Sequence, residues 1–239
     1  MFSVSATKLA LYRECRKRYY HKYVLEETEP ETTALIFGKA VHAAVEKYYT
    51  ERCDPVGVFQ HVFEEDINAN PNAIVYEQPD ILRGLGELLL ESFPWFLYEP
   101  SHVEYAFSVP LVDDIQLDGR FDLLTTDDYI VDIKTGKRIG NLEQNIQFSL
   151  YVHAFQCLFQ KEPKGVIWHH FRTHQQYVVS TQTLNAYLPT VIALAKKLYD
   201  DMFDDVAVCA SCLPYCQFNP RNSQRRARLI KEVQHDISH

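Results

Sequence analysis

Glycine is scarce in this chain, eight residues in 239, and proline is little commoner at eleven. That excludes collagen-like repeats and Gly/Pro-rich linkers, and neither an internal repeat nor a low-complexity segment is visible. No apolar run approaches the length needed to span a bilayer. The opening Met1-Phe2-Ser3-Val4-Ser5 lacks the basic region and apolar stretch of a secretory leader, and Lys8 and Arg13 interrupt anything longer. A cytoplasmic protein with no membrane partner is expected. There the six cysteines would stay mostly reduced, and they read better as ligands, nucleophiles or core filler than as disulfides. Positive charge is also short. With 24 Lys and Arg against 32 Asp and Glu the formal net charge is −8, which by itself counts against a nucleic-acid partner, because affinity for DNA comes largely from neutralised phosphates.

The distribution of charge softens that objection. Residues 1–25 carry six Lys/Arg and one Glu, and residues 221–239 carry five Lys/Arg and two acids, so the ends are +5 and +3 while the middle holds −16. An acidic middle suits a cation site and basic ends suit a phosphate grip, although charge alone reads equally well as solvated faces. Hydrophobic residues at 46% and charged residues at 23% describe a packed globular chain. Its length fits a single domain, 1–239, with a helical elaboration.

Hydrophobic periodicity predicts helices over residues 5–23, 34–49, 56–67 and 81–97, with Pro71 and Pro79 breaking the last two apart. From His102 the period becomes two. Strands are predicted over 102–109, 117–124 and 129–134, the last two joined by a turn at Asp127-Asp128. A helix over 143–159, strands over 166–172 and 177–180, and a long helix over 183–203 follow. The fold class is therefore α/β with an α+β-like order: a mixed central sheet flanked by helices, with a helical N-terminal insertion and a Cys-rich C-terminal segment. The parts are an N-terminal helix (1–32), a helical region (33–100), a core (101–180) and a C-terminal segment (181–239).

Asp132-Ile133-Lys134 lies on a predicted strand, so the carboxylate and ammonium share one face and Ile133 points to the core. A turn at Asp127-Asp128 would bring Asp122 across from Asp132. Two carboxylates meeting at a strand face suit a hard divalent cation. Glu104, on the preceding strand, reads equally as a further acid or as a solvent-facing residue. Upstream, His42 sits on a helix four residues after Gly38; downstream, Gln147 and Tyr151 stand four apart on one helical face.

Together, Gly38-x-x-x-His42, Gly119-Arg120-Phe121-Asp122, Asp132-Ile133-Lys134-Thr135-Gly136-Lys137 and Gln147-x-x-x-Tyr151 resemble the RecB-like branch of the PD-(D/E)xK nuclease superfamily. The resemblance implies a restriction-endonuclease-like sheet and phosphodiester hydrolysis. It also implies that His42, Asp122, Asp132 and the Ile133 carbonyl bind Mg²⁺ or Mn²⁺, the imidazole making Mn²⁺ a good activator. Lys134 would position or deprotonate the attacking water, and Gln147 and Tyr151 would orient Lys134 or the nucleic-acid backbone.

Cys209-x-x-Cys212-x-x-x-Cys216 packs three thiols into a short segment with Pro214 inside it, a loop able to wrap a metal centre. A fourth ligand is needed, and on spacing alone Cys15, Cys53 and Cys157 all compete. Iron–sulphur RecB-like nucleases, among them the AddB subunits and the CRISPR-adaptation exonucleases called Cas-four, are similar in carrying one cysteine before the nuclease core and three after it. That similarity selects Cys15 and implies a four-iron four-sulphur cluster, with zinc as the alternative for four thiolates. It further implies a DNA exonuclease working on single strands or ends, in recombination, repair or CRISPR adaptation beside an integrase or recombination complex. The alternative is a non-catalytic DNA-end-binding or adaptor subunit stabilised by the cysteine-bound centre. Tyr19, Tyr20 and Tyr23, interleaved with basic residues, are the aromatic group expected near DNA.

Overall fold

The structure, a computed structural model, describes residues 2–201. Within these the chain divides into two compact units, one of residues 2–6 and 29–193 and the other of residues 7–28 and 194–201.

The first unit is built on a six-stranded mixed sheet. Strands β2 (Pro100–Val112), β3 (Ile115–Thr125) and β4 (Tyr129–Lys134) form the expected antiparallel meander. The β3–β4 turn is set by Asp128 at φ +70° and by its N–H donating to Thr125 O at 3.1 Å. Helix α6 (Ile146–Phe159) then crosses to β5 (Gly165–His170), which lies parallel to β4, and β6 (Gln175–Val179) returns antiparallel to β5. The mixed sheet flanked by helices agrees with the fold class expected from the sequence.

Strand β3 has three partners and therefore must share one edge. Strand β2 runs along its whole length, while β1 (Phe2–Val4) pairs in parallel with Ile115–Leu117 and β4 pairs with Leu123 and Leu124. Strands β1 and β4 thus take opposite ends of the other edge, and between them the β3 edge from Gly119 to Asp122 carries no ladder partner among the described residues. That gap is where the acidic residues gather.

Helices α3 (Thr33–Glu51), α4 (Pro55–Ala69) and α5 (Pro79–Glu91) make the helical region. Thr32 and Asp54 cap α3 and α4 by accepting main-chain N–H groups, and Pro55 and Pro79 open α4 and α5 where no internal donor is needed. The apolar stripe of α3 (Ile36, Phe37, Ala40, Val41, Ala44, Val45) packs on Phe59, Phe63, Leu82 and Leu90. On its sheet side it meets Leu123, Val131, Ile133 and Phe171. At about 25 cal/mol per Å² such burial dominates the fold's stability. It also fixes the turn of α3 that carries His42 against β3.

Four details differ from expectation. The N-terminal helix is two helices, α1 (Ala6–Glu14) and α2 (Arg16–Tyr23), because Cys15 turns to φ −157° and its Sγ accepts Arg18 N–H at 3.4 Å as the cap of α2. Helix α5 stops at Glu91, where the Ser92 hydroxyl donates to Leu88 O and Pro94 disfavours a helical Phe93. Strand β2 continues through Pro110, which an edge strand tolerates beside the register shift there. Strand β1 is too short to leave a period and depends on pairing with a distant segment.

In the second unit, Tyr19 is buried and packs edge-on to Tyr12 and against Tyr23. It belongs to a small aromatic core rather than to an open stacking surface. Tyr12 and Arg16 both reach Asp201, near the end of α7 (Thr181–Asp201), Arg16 at 3.0 Å and Tyr12 through its hydroxyl. Among the described residues no helix is long and apolar enough to cross a membrane.

Candidate active site

Asp122 stands where β3 and β4 separate. The last ladder pairs are Leu124 with Ile130 and Leu123 with Val131; one step further, the Asp122 Oδ2 atom accepts the Ile133 N–H at 2.7 Å. The Lys134 carbonyl faces the other way and accepts Phe171 N–H at 2.9 Å. Since N–H and C=O of one strand residue share an edge and alternate along the strand, the Ile133 carbonyl points to the same side as Asp122.

His42 from α3, Glu104 from β2 and Asp122 from β3 bring one ligand atom each within 4.8 Å of one another, a group that can hold a metal ion. The His42 Nδ1 atom lies 3.7 Å from both Glu104 Oε1 and Asp122 Oδ2. Asp132 is fully buried. Its Oδ1 accepts from Lys134 Nζ at 2.8 Å, while Oδ2 has no hydrogen-bond partner among the described residues. A buried carboxylate oxygen without a donor is costly, and a cation is the partner that suits it. The imidazole of His42 and the carboxylates of Glu104 and Asp122 are a donor set suited to Mg²⁺ or Mn²⁺, and Asp132 is not one of the three that converge.

The electrostatics agree with that donor set. Burial raises the Asp122 carboxyl to about 6, with repulsion from Asp132 adding to it and His42, Lys134 and the Ile133 N–H pulling the other way. Burial would lower His42, but Asp122 and Glu104 outweigh it and push the imidazole up to about 9. Burial likewise works against the Lys134 ammonium, yet Asp132 and Asp122 hold it above its ordinary value. The cluster gathers several negative charges, which His42, Lys134 and, at Glu104, Arg120 offset.

Gln147 and Tyr151 meet as their spacing predicts: Gln147 Nε2 donates to Tyr151 Oη at 2.7 Å, and Tyr151 Oη donates to Arg120 O at 2.7 Å. Tyr151 also packs on Phe121, and Gly119 is required because a Cβ there would lie 2.4 Å from the Phe107 ring. Through these bonds both residues hold β3 in place, and among the described residues neither has a hydrogen bond to Lys134. Gly38 gives Thr135 room in the same way, a Cβ there meeting Thr135 Oγ1 at 3.1 Å.

Glu104 is the acid whose standing the sequence left open, and here it faces the cluster. It sits at φ +47°, a left-handed backbone inside a strand. Glu77, not singled out in the sequence, accepts from Arg172 Nη2 at 2.8 Å and pairs with Lys137 Nζ at 3.0 Å. Arg172 Nε in turn donates to Thr135 O at 2.8 Å, so this network clasps the turn after β4. Of the expected cluster ligands, Cys15 is a buried residue at the α1–α2 break; Cys209, Cys212 and Cys216 lie outside the described residues. Cys53 and Cys157 are half-buried, Cys157 with its Sγ 3.6 Å from His153 Nε2.

Residues 3–221 match the family model of the PD-(D/E)XK nuclease superfamily. Among solved structures, a Eubacterium rectale protein provisionally described as an exonuclease aligns over 92% of this chain and 86% of its own, with a TM-score of 0.64 at 13% identity. A structure named SSO0001 covers 87% of this chain and 96% of its own at 15% identity, with a TM-score of 0.32. No curated protein matches the sequence.

Proposed function

Because the chain belongs to the PD-(D/E)XK nuclease superfamily, we propose that it is a metal-dependent DNA exonuclease acting on single strands or ends. The observation that carries the reading is the convergence of His42, Glu104 and Asp122 beside the buried, half-satisfied carboxylate of Asp132. The structural neighbour described as an exonuclease points the same way.

In this reading His42, Glu104, Asp122, Asp132 and the Ile133 carbonyl would hold a divalent cation, which would supply an activated water and charge compensation at the scissile phosphate. Lys134 keeps its proton, since Asp132 and Asp122 favour the ammonium. It therefore serves as a fixed positive charge and donor to a non-bridging oxygen and orients the water, rather than taking a proton from it. Asp132 holds that ammonium at 2.8 Å and sets its direction. Tyr151 and Gln147 act one layer behind, keeping β3 and hence Asp122 at the distance the chemistry needs.

Cys15, Cys209, Cys212 and Cys216 are proposed to bind an iron–sulphur cluster of the four-iron four-sulphur type, with zinc as the competing occupant. The burial of Cys15 and its place at the break between α1 and α2 support a ligand role. The cellular setting fits DNA recombination, repair or CRISPR adaptation, with an integrase or recombination complex as partner.

The test is cleavage of end-labelled single- and double-stranded DNA in Mn²⁺. Shortening from an end is expected for the wild type and its loss for Asp132→Ala and Lys134→Ala; unchanged cleavage by both variants rejects these roles. Anaerobic purification with iron and zinc analysis decides the cysteine-bound centre.

A further inference from the structure

We propose that Arg120 grips a backbone phosphate of the substrate strand, and that Glu104 releases it for this task when the cation site fills. The inference rests on the nuclease reading above and adds a substrate contact to it.

Arg120 is fixed at its root and loose at its tip. Its carbonyl accepts the Tyr151 hydroxyl at 2.7 Å, with Tyr151 itself held by Gln147 and packed against Phe121. Its cross-strand neighbour is Ala106, which leaves the long side chain lateral room. The side chain is 59% exposed, and its ion pair with Glu104, Nη1 to Oε2, is 3.5 Å long. An optimised pair of this kind is about 2.7–2.9 Å.

Glu104 faces two ways. One oxygen looks to His42 at 3.7 Å and the other to Arg120 at 3.5 Å. A divalent charge on that carboxylate offsets its attraction for the guanidinium, and Arg120 is then an exposed planar fork beside the scissile position. Such a fork matches phosphate oxygens in two-point contact, and its root cannot drift because β3 is braced beneath it. The same arrangement opposes unproductive binding, since without the cation Glu104 both occupies Arg120 and repels a phosphate.

The test measures anisotropy of a fluorescent single-stranded oligonucleotide with uncleavable phosphorothioate linkages, bound by the full chain with and without Mn²⁺. With Mn²⁺, Arg120→Ala is expected to weaken binding about tenfold and Arg120→Lys by less. Without it, wild type and Arg120→Ala should bind alike. Mn²⁺ affinity, read by electron paramagnetic resonance, should not fall in Arg120→Ala. In cleavage the variant should raise KM with little change in kcat, and a neutral methylphosphonate at the contacted linkage should erase the wild-type advantage. Equal binding by wild type and Arg120→Ala in Mn²⁺ overturns the proposal. So does a deficit of the same size with and without the cation. A wild type that cuts DNA while Arg120→Ala matches it in KM sinks this contact alone. A wild type that neither cuts DNA nor binds it sinks the nuclease reading and the contact with it.

Discussion

Asp122 and Ile133 share a hydrogen bond, Oδ2 to main-chain N–H at 2.7 Å, at the point where the β3–β4 ladder ends. A side chain has taken the donor that a continued ladder would have used, so the strands part and a carboxylate is held in the gap. The price is a buried charge. The Asp122 carboxyl is raised from 3.8 to about 6, first by burial. A folded value above the unfolded one contributes stability that is whole below the unfolded pKa and is lost as pH rises through 6. In chelator at pH 7.5, Asp122→Asn should therefore unfold later than wild type, by about 1–3 kcal/mol, while losing cleavage. Urea titrations of both proteins at pH 5 and 7.5 check this; an advantage for the variant that does not grow with pH refutes it.

The left-handed backbone of Glu104 yields a second prediction. At φ +47° a residue with a Cβ is strained, by roughly 1–3 kcal/mol, and here the strain aims a carboxylate at His42 and Asp122. Glu104→Ala and Glu104→Gly both remove that carboxylate, but only glycine adopts the conformation freely. Glu104→Gly should be the more stable of the two by about 1 kcal/mol, the reverse of the usual order in a strand. Denaturant midpoints of the two variants, measured without metal, decide it.

These two residues also mark how far the sequence could be read. Strand β4 appears at its predicted bounds, 129–134, because the Asp127-Asp128 turn and Thr135-Gly136 punctuate both ends. Asp132 and Lys134 meet because a period of two leaves them no other relation. Gln147 and Tyr151 meet for the corresponding helical reason. Glu104 is different: alternation along β2 cannot separate a ligand from a solvated residue, and the decision lies in a backbone angle that spacing does not encode. Glu77 was invisible for another reason, since its partner Arg172 lies 95 residues away. Strand β1 likewise exists only through its pairing with Ile115–Leu117.

The Glu77–Arg172 pair is largely withdrawn from solvent, with side-chain exposures of 16% and 13%. Thr33 fixes the Glu77 backbone through its hydroxyl, and Arg172 carries the constraint to the Thr135 carbonyl. A double-mutant cycle on Glu77→Ala and Arg172→Ala should give a coupling of about 2 kcal/mol in urea unfolding, where an exposed pair would give less than about 1 kcal/mol. Each single variant should also lower kcat about tenfold through displacement of Lys134, with a smaller effect on KM. Additive stabilities would show that the clasp carries no load.

His169 offers a stability prediction outside the acidic cluster. The imidazole is fully buried in β5, stacked on Phe93, with Nδ1 at 2.7 Å from the Tyr98 hydroxyl. Burial, then His174 and His170, lower it from 6.5 to about 4. The fold thus holds it neutral, whereas an unfolded chain protonates it near pH 6.5. The associated stability is whole above 6.5 and is lost as pH falls through about 4, which amounts to about 3 kcal/mol for a shift of this size. Replacing both partners, Tyr98→Phe with His169→Phe, removes the titrating group without stranding the hydroxyl. Between pH 7 and 4 the double variant should lose less stability than wild type by roughly that amount. Parallel curves would mean that His169 already binds its proton in the folded protein near the ordinary imidazole range.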